Sequence, residues 1–415
     1  MSAKETSRAK TYDDIAPLVE LCKAGRLFDA QTWVAAGKPV NPPPPTDRRS
    51  RKKSPLEYAI ELGFHSLVQV LLEAGAEAIS SDFFCPMSLA LSKRRFDIVE
   101  LLVKHGFDAK SIDMRTVFST WDPKIMEFFI ERGADVESGM PLAWALCDRI
   151  RTALPVFKKY RDRFPTFQEQ VNVALRHQCK EGNQKWISLL LWAGADPLAR
   201  GEAEPGTVPS EEDHGISALA FAALYHHFEI FSMKKIKLQI DHPAMQDVLN
   251  YCCEGEGLPI VERLLAKGMN PNNQENGGCA AIQQLLDRLE WCSWSVYGWE
   301  RRANGIDCSK SRDHLKAIHL LAKYGGKWRP VDSRQLNAAR RSLLRMTPDY
   351  TIEFVWIMSK FQASSRSDIE ALVRTPTMKR HLAPRSGRLA ELLSGLPTDG
   401  PSEVENNREF GTVAE

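Results

Sequence analysis

The chain has 415 residues, with 55 Lys and Arg against 53 Asp and Glu, and 43% of its residues are hydrophobic. A single compact core seldom extends over such a length, which indicates several domains or a repeat array. The net charge of +2 excludes a chain-wide attraction to nucleic acid or to anionic membranes. Residues 1–10 lack a signal-peptide core, and no apolar run approaches about 20 residues, so we expect a cytoplasmic protein without a membrane span.

The first segments of the chain are a polar start, a helical pair and a basic loop. We expect residues 1–10 to be disordered and residues 11–37 to form an N-terminal helical cap, since Gly25 and Gly37 each follow an amphipathic stretch. Residues 38–53 form a Pro-rich basic loop, in which the run Pro42 to Pro45 favours a polyproline helix.

The basic loop is the first candidate binding site. Its cations could contact an acidic partner surface or nucleic-acid phosphates, or act as a nuclear localisation signal in a eukaryote. The alternative is a solvated loop whose charge serves solubility. The candidate residues are Arg48, Arg49, Arg51, Lys52 and Lys53.

Two copies of a helix–turn–helix unit follow the loop, at Ser54 to Ala76 and at Cys85 to Asp108. The interval from Pro55 to Pro86 equals that from Gly75 to Gly106, so the two copies share one register. Each copy has Pro at the first helical position and a glycine that ends the second helix. Neither helix pair can bury its apolar faces alone, so the units are predicted to stack.

The first copy, SPLEYAIELGFHSLVQVLLEAGA, resembles the ankyrin repeat, whose signature is a Thr-Pro-Leu-His opening, an Ala pair, a Gly turn and a Val-x-x-Leu-Leu-x-x-Gly-Ala close. Ser54 replaces the Thr and Glu57 replaces the His, whereas the close from Val68 to Ala76 fits throughout. The resemblance implies an all-α ankyrin-repeat solenoid of helix-turn-helix units with N- and C-terminal helical caps.

Weaker copies extend the array over residues 54–330, with insertions at about 200–214 and 291–310. The third unit has a clipped first helix, and the sixth has a degenerate second helix. Residues 331–396 are predicted to form a C-terminal helical cap, with a helix pair at Ser333 to Phe361 and a short helix in RLAELLSGL, before a disordered acidic tail at 397–415. The weaker copies contain Ile125 to Val136, Gly139 to Cys147, Val171 to Pro197, Ile216 to Ile230, Val248 to Pro271, Gly278 to Leu289 and His314 to Gly325.

The two insertions differ in character. The acidic segment Gly201 to His214 is rich in Pro and Gly and is expected to be disordered. The other concentrates aromatic and Arg side chains, which dominate binding hot spots. The alternative is a longer first helix whose aromatic rings pack on the C-terminal cap. The candidate partner-binding residues are Trp291, Trp294, Tyr297, Trp299, Arg301 and Arg302.

No pattern in the sequence points to catalysis. Phosphate-binding, nucleophile-elbow and zinc-protease motifs are absent, and the 9 cysteines form no CxxC pair, which favours reduced, buried thiols. Cys292, Cys308, His314 and His319 are too irregularly spaced to predict zinc. We therefore expect no catalytic site, no cofactor and no metal.

The sequence favours a non-catalytic scaffold or adaptor that binds a partner protein through the ankyrin concave face and the inserted loops. By analogy with divergent bacterial or viral ankyrin arrays, it would regulate or neutralise a toxin or an enzyme. The first alternative is a nucleic-acid-associated protein that uses the basic loop, and the second is an enzyme of unknown class.

Overall fold

The computed structural model describes residues 8–44, 52–77, 85–207, 215–253, 255–272, 281–295 and 309–397. The predicted disorder of residues 1–10 and 397–415 falls mostly outside the described residues, which exclude 1–7 and 398–415. It is wrong for Ala9, which is buried and whose backbone N–H donates to Asn41 O at 3.0 Å. The chain divides into two compact units, of which the first comprises residues 1–174 with 204–207 and the second comprises 175–203 with 208–415. The boundary falls within one helix, α11 (Phe167–Lys180).

Five helix pairs make up the first unit, and each pair is one repeat. The first helices, α1, α3, α5, α7 and α9, pack side by side in that order, and the second helices α2, α4 and α6 do the same. The ten helices are α1 (Ala16–Lys23), α2 (Leu27–Ala35), α3 (Pro55–Leu62), α4 (His65–Glu73), α5 (Pro86–Ser92), α6 (Phe96–Lys104), α7 (Met114–Phe118), α8 (Pro123–Glu131), α9 (Pro141–Cys147) and α10 (Ala153–Tyr160).

Local signals explain why the repeats begin and end where they do. Ser54 caps α3, because its hydroxyl accepts a hydrogen bond from the backbone N–H of Glu57 at 3.1 Å while the Glu57 carboxylate accepts from the Ser54 N–H at 3.4 Å. Gly63 ends α3 in the left-handed region, with φ of 76°. The second helix α4 then buries Leu67 and Leu71 completely or nearly so, which ties its stability to the neighbouring repeats.

The second unit continues the same layout towards the C-terminus. The first helices α13, α14, α16 and α18 pack in sequence, and the second helices α15, α17 and α19 form the other layer. A 3-10 helix at Phe228–Ser232 takes the place of the second helix after α13. The helices are α12 (Gln184–Ala193), α13 (Ala218–Leu224), α14 (Met245–Cys252), α15 (Leu258–Ala266), α16 (Ala281–Ser295), α17 (Ser309–Lys323), α18 (Ser333–Arg345), α19 (Pro348–Lys360), α20 (Arg366–Val373), α21 (Pro376–Leu382) and α22 (Ser386–Ser394).

The described chain is therefore all-α apart from one two-residue strand pair, and its stacked helix–turn–helix units confirm the ankyrin-repeat fold. The clipped first helix of the third unit is confirmed by α7, which has 5 residues. The degenerate second helix of the sixth unit is confirmed by the 3-10 turn after α13. No helix within the described ranges is long and apolar enough to cross a membrane.

Beyond α19 the sequence predicted only one helix, whereas the structure has three. Ser365 caps α20 by accepting from the N–H of Asp368 at 3.1 Å, and Thr375 caps α21 by accepting from the N–H of Met378 at 3.4 Å. Trp328 is fully buried beside this region, and its indole Nε1 donates to Gln283 Oε1 at 2.8 Å. The three helices pack on the last helix pair, since α20 and α21 lie against α18 and α22 lies against α19.

Cysteines in the described ranges are all free thiols, and all but Cys85 are buried. Burial raises the pKa of the Cys22 thiol in α1 to about 12. Burial also raises the pKa of the Cys252 thiol in α14. Both groups are therefore protonated and unreactive in the folded protein.

Candidate interaction surfaces

Of the five cations in the basic loop, the structure describes Lys52 and Lys53, while Arg48, Arg49 and Arg51 lie outside the described residues. Lys53 Nζ lies 2.7 Å from Glu61 Oε2, and this hydrogen bond holds the pKa of the Glu61 carboxyl below its usual value. Lys52 Nζ lies 4.5 Å from the centroid of the Tyr12 ring. Both lysines thus take part in contacts within the protein.

The aromatic insertion begins inside a helix. Because α16 continues to Ser295, Trp291 and Trp294 belong to its last turns, so the first helix of this unit is longer than the sequence register requires. Their side chains lie outside the described part of the structure, as do Tyr297, Trp299, Arg301 and Arg302. Their role in partner binding stays a prediction.

The acidic insertion is anchored at both ends by an antiparallel pair, β1 (Arg200–Gly201) and β2 (Ile216–Ser217). Arg176 is fully buried beneath it, and its guanidinium donates to the carbonyl oxygen of Glu202 at 2.7 Å and to that of Ala199 at 3.2 Å. The predicted disorder is therefore wrong for Gly201 to Ala203, because a buried cation binds their backbone. Residues 208–214 lie outside the described ranges.

The first-helix face of the first unit presents aromatic side chains paired with cations. Lys23 Nζ lies 4.9 Å from the centroid of the Tyr58 ring, and the Arg115 guanidinium lies 4.1 Å from that of Trp144. Both rings are half-buried, so each keeps accessible surface. Arrangements of Tyr, Trp and Arg on a rigid helical layer are typical of protein-binding faces.

A second surface of the first unit lies at the turns between the two helices of each repeat. In the early repeats the turn contains Gly25 or Gly63, at φ of 68° and 76°. In the next three repeats the same left-handed position holds Arg94, Trp121 and Arg149, at φ of 54°, 62° and 65°. We call these three residues the turn row.

Side chains at left-handed positions are costly. A residue with a Cβ loses about 1–2 kcal/mol in this region relative to the right-handed one, whereas glycine does not. The Schellman geometry holds the backbone there, since the N–H after Arg94 donates to Ala90 O at 3.1 Å and the N–H after Arg149 donates to Ala145 O at 2.8 Å. Such outliers are concentrated at functional sites, and they persist only where the surrounding structure holds the backbone in place.

The turn row is exposed and basic. Trp121 is 44% exposed, and Arg94 and Arg149 are exposed without an ion pair to any residue that the structure describes. Lys93 and Arg151 add two exposed cations beside the two arginines.

Four carboxylates lie near the turn row, and two of them are already paired, Asp97 with Arg95 and Glu61 with Lys53. Asp122 accepts from the N–H of Lys124 at 2.9 Å and so caps α8, while Asp148 is exposed. Cations therefore outnumber free carboxylates along this surface.

The turn row was not predicted from the sequence, although the repeat register contains a signal for it. Arg94 follows Gly63 by the same interval that separates Pro55 from Pro86. A bulky residue therefore stands where the repeat pattern calls for glycine, and this departure is visible once the two copies are aligned. From the sequence alone, the replacement of glycine looks like ordinary divergence of the repeat. The φ angles show that the left-handed conformation is kept although the glycine is replaced.

Among the described residues, no three His, Cys, Asp or Glu side chains are grouped as a metal site requires. His314 is buried, whereas His319 lies between Trp356 and Phe361, with ring centroids 6.3 Å and 4.9 Å away. The side chains of Cys292 and Cys308 lie outside the described residues.

No family model matches the chain, and no curated protein matches it. Among solved structures it is similar to the human ASB11 ankyrin repeat domain, with 20% identity over 57% of this chain and 97% of that one and a TM-score of 0.36. It is also similar to the ankyrin repeat domain of Bcl-3, a member of the IkappaB protein family, with 16% identity over 64% of this chain and 92% of that one and a TM-score of 0.29. The helix pairs and turns of the chain itself define its fold.

Proposed function

We propose that this protein is a non-catalytic scaffold or adaptor that binds a partner protein through the first-helix face, the concave face of an ankyrin array, and through its inserted loops. The observation that carries the proposal is the accessible pairing of Arg115 with Trp144, 4.1 Å from cation to ring centroid, on a layer of packed helices. Rigid aromatic residues of this kind lose little conformational entropy on binding.

A variant pair tests the first-helix face. Trp144→Ala should abolish capture of a partner that the unmodified full chain retains after washing, because Trp is a frequent hot-spot residue. Trp192→Ala is the matched control, since Trp192 is 61% exposed on α12 of the second unit. Quantitative mass spectrometry of captured proteins should show a loss with the first variant alone. An identical set captured by both variants would contradict the role of this face.

The aromatic insertion, which begins in the last turns of α16, is tested separately. If its rings contact the partner, Trp294→Ala and Trp299→Ala should each weaken binding by about 2 kcal/mol while the melting temperature stays the same. If the rings pack against the protein itself, the melting temperature should fall instead, because truncating a buried Trp costs about 3–5 kcal/mol. Among partner classes, a toxin or an enzyme held inactive by the scaffold is the one to test first.

The nucleic-acid alternative has weaker support. Lys53 is paired with Glu61 and Lys52 lies against Tyr12, so two of its five cations already have partners. Converting all five cations to Gln should abolish any gel shift and flatten its salt dependence if the alternative is right. We expect no specific gel shift from the unmodified protein.

A further inference from the structure

We propose that the turn row, Arg94, Trp121 and Arg149, binds an extended acidic segment of the partner protein. Carboxylates of the segment pair with the two arginines, and an apolar side chain between them packs on Trp121. The inference rests on the proposed function and adds a second surface with a stated partner chemistry. This surface is formed by the turns between helices, whereas the first-helix face is formed by Tyr58 and Trp144.

The spacing of the turns sets the spacing of the partner's residues. Because α5, α7 and α9 pack side by side, the turns that follow them are successive along the first unit. Packed helices lie about 8–10 Å apart, and an extended chain advances about 3.3 Å per residue. One repeat therefore matches about three residues of an extended segment. The complementary pattern is acidic–x–x–apolar–x–x–acidic.

Charge decides between an acidic and a neutral segment. Arg94 and Arg149 have no ion pair among the residues that the structure describes, and Lys93 and Arg151 stand exposed beside them. Asp122, the nearest carboxylate to Trp121 in sequence, accepts a hydrogen bond from the Lys124 N–H and so serves as a helix cap. Guanidinium groups bind carboxylates in a bidentate manner, so acidic side chains are the ligands that this surface fits.

Strain provides the second argument. Arg94, Trp121 and Arg149 keep left-handed φ angles that Gly25 and Gly63 adopt without cost at the equivalent turns. Three successive repeats thus carry large side chains where glycine would give a more stable fold. The same conformation at His226 shows that the fold tolerates this cost. Strain therefore supports the assignment only together with the exposed aromatic and cationic side chains of the turn row.

Glycine variants separate binding from folding, because each substitution relieves strain while it removes the side chain. The probe is a phage-displayed library of random peptides, panned on the full chain. Enriched peptides should carry acidic residues on both sides of an apolar one at the spacing given above. Fluorescence polarisation measures the affinity of an enriched peptide for each variant. Trp121→Gly should lower this affinity about thirtyfold, and Arg94→Gly or Arg149→Gly should lower it about threefold each. The two arginine variants should also show a weaker dependence of the affinity on salt concentration. His226→Gly is the matched control: His226 occupies the same turn position in the second unit, at φ of 62°, and its substitution should leave binding unchanged.

Three outcomes would overturn the proposal, and they differ in what they say about the protein's function. Peptides that bind the glycine variants as well as the unmodified chain, but lose affinity with Trp144→Ala, would remove the turn row and keep the first-helix face as the binding site. A library from which no peptide is enriched would overturn the proposal for the turn row alone, because the proposed function is tested by capture of a partner with Trp144→Ala. Enriched peptides without acidic residues would overturn the partner chemistry assigned to the turn row.

Discussion

The guanidinium of Arg95 donates a hydrogen bond from Nη1 to the carbonyl oxygen of Gly63 at 2.6 Å, and so joins the turns of two consecutive repeats. The same group lies 2.6 Å from a carboxylate oxygen of Asp97, and this contact holds the pKa of Asp97 below its usual value. These two turns are therefore bound to each other by a side chain as well as by helix packing.

The second unit contains an equivalent link. His227 follows the left-handed residue His226, and its ring Nε2 lies 3.0 Å from the carbonyl oxygen of Lys180 in the preceding turn. In the first unit the ring of Phe64 performs a similar role by covering Gly25. In these three turns the residue directly after the left-handed position, which is Phe64, Arg95 or His227, thus contacts the previous repeat.

Arg95→Ala should destabilise the first unit by about 1–2 kcal/mol, because the Gly63 carbonyl and the Asp97 carboxylate both lose a charged donor. Urea unfolding followed by circular dichroism measures this free energy. The matched control is Arg94→Ala next to it, which removes an exposed side chain without an ion pair and should change stability very little. Equal losses from both variants would show that the inter-turn hydrogen bond contributes nothing.

Arg149→Gly should raise the free energy of unfolding by about 1 kcal/mol, because glycine adopts φ of 65° without steric cost. Arg151→Gly in the same loop is the control, since Arg151 has no left-handed backbone to relieve and the new glycine only adds entropy to the unfolded chain. We therefore expect opposite signs for the two variants in the same denaturation assay. A destabilised Arg149→Gly would refute the strain assigned to the turn row.

Leu71→Asp should unfold more than its own repeat. Leu71 is fully buried in α4, which packs on α2 and α6 as well as on its partner α3. Burying an unpaired carboxylate there costs several kcal/mol of folding free energy, which exceeds the stability that a single repeat contributes. Hydrogen exchange should therefore accelerate in α2 and α6 too, and acceleration restricted to α3 and α4 would argue against coupling between repeats.

Acidification should destabilise the second unit through His319. Burial against Trp356 and Phe361, with repulsion from Lys360 and Lys323, lowers the pKa of His319 from its ordinary value. The unfolded chain then binds a proton more readily than the folded one, so stability is present above about pH 6.5 and is lost as the pH falls further.

Thermal melts of His319→Phe between neutral and mildly acidic pH test this. The variant keeps an aromatic ring beside Trp356 but cannot titrate, so its melting temperature should depend less on pH than that of the unmodified chain. Burial also lowers the pKa of His381, so this residue should account for part of the pH dependence that remains in the variant. An unaltered pH dependence in the variant would exclude His319 as the cause.

Arg176→Met should release the strand pair β1–β2. The substitution leaves the carbonyl groups of Ala199 and Glu202 without their donors, at a cost of about 1–3 kcal/mol for each group that stays buried. Amide exchange at Gly201 and Ile216 should accelerate in this variant. Arg176→Lys keeps the charge but loses the planar set of donors, so its exchange rates should lie between those of the unmodified chain and those of Arg176→Met. Protection retained at Gly201 in the Met variant would contradict the anchoring role.

The sequence was sufficient to predict the helix pairs because their signals are local. The Ser54 cap, the Pro55 start and the Gly63 stop all lie within one α3 segment, and the shared register extends them to the next copy. The same reasoning missed α20 and α21, since their caps at Ser365 and Thr375 stand in polar, basic sequence with little periodicity.

The strand pair and the turn row could not be predicted from the sequence, because they depend on distant contacts and on backbone angles. The strands at Arg200 and Ile216 have two residues each and exist because Arg176, far away in the sequence, binds the loop. The turn row is defined by φ angles. A bulky residue such as Trp favours a negative φ, whereas Trp121 adopts a φ of 62°.

The reactivity of the buried thiols reports how often each unit opens. Cys22 in the first unit and Cys252 in the second are both fully buried and held protonated by raised pKa values. An alkylating reagent can modify either sulfur only after the surrounding helices separate, so the rate of modification at each position measures how often that unit opens. Timed alkylation read by mass spectrometry would thus rank the two halves of the chain by kinetic accessibility, with no label introduced.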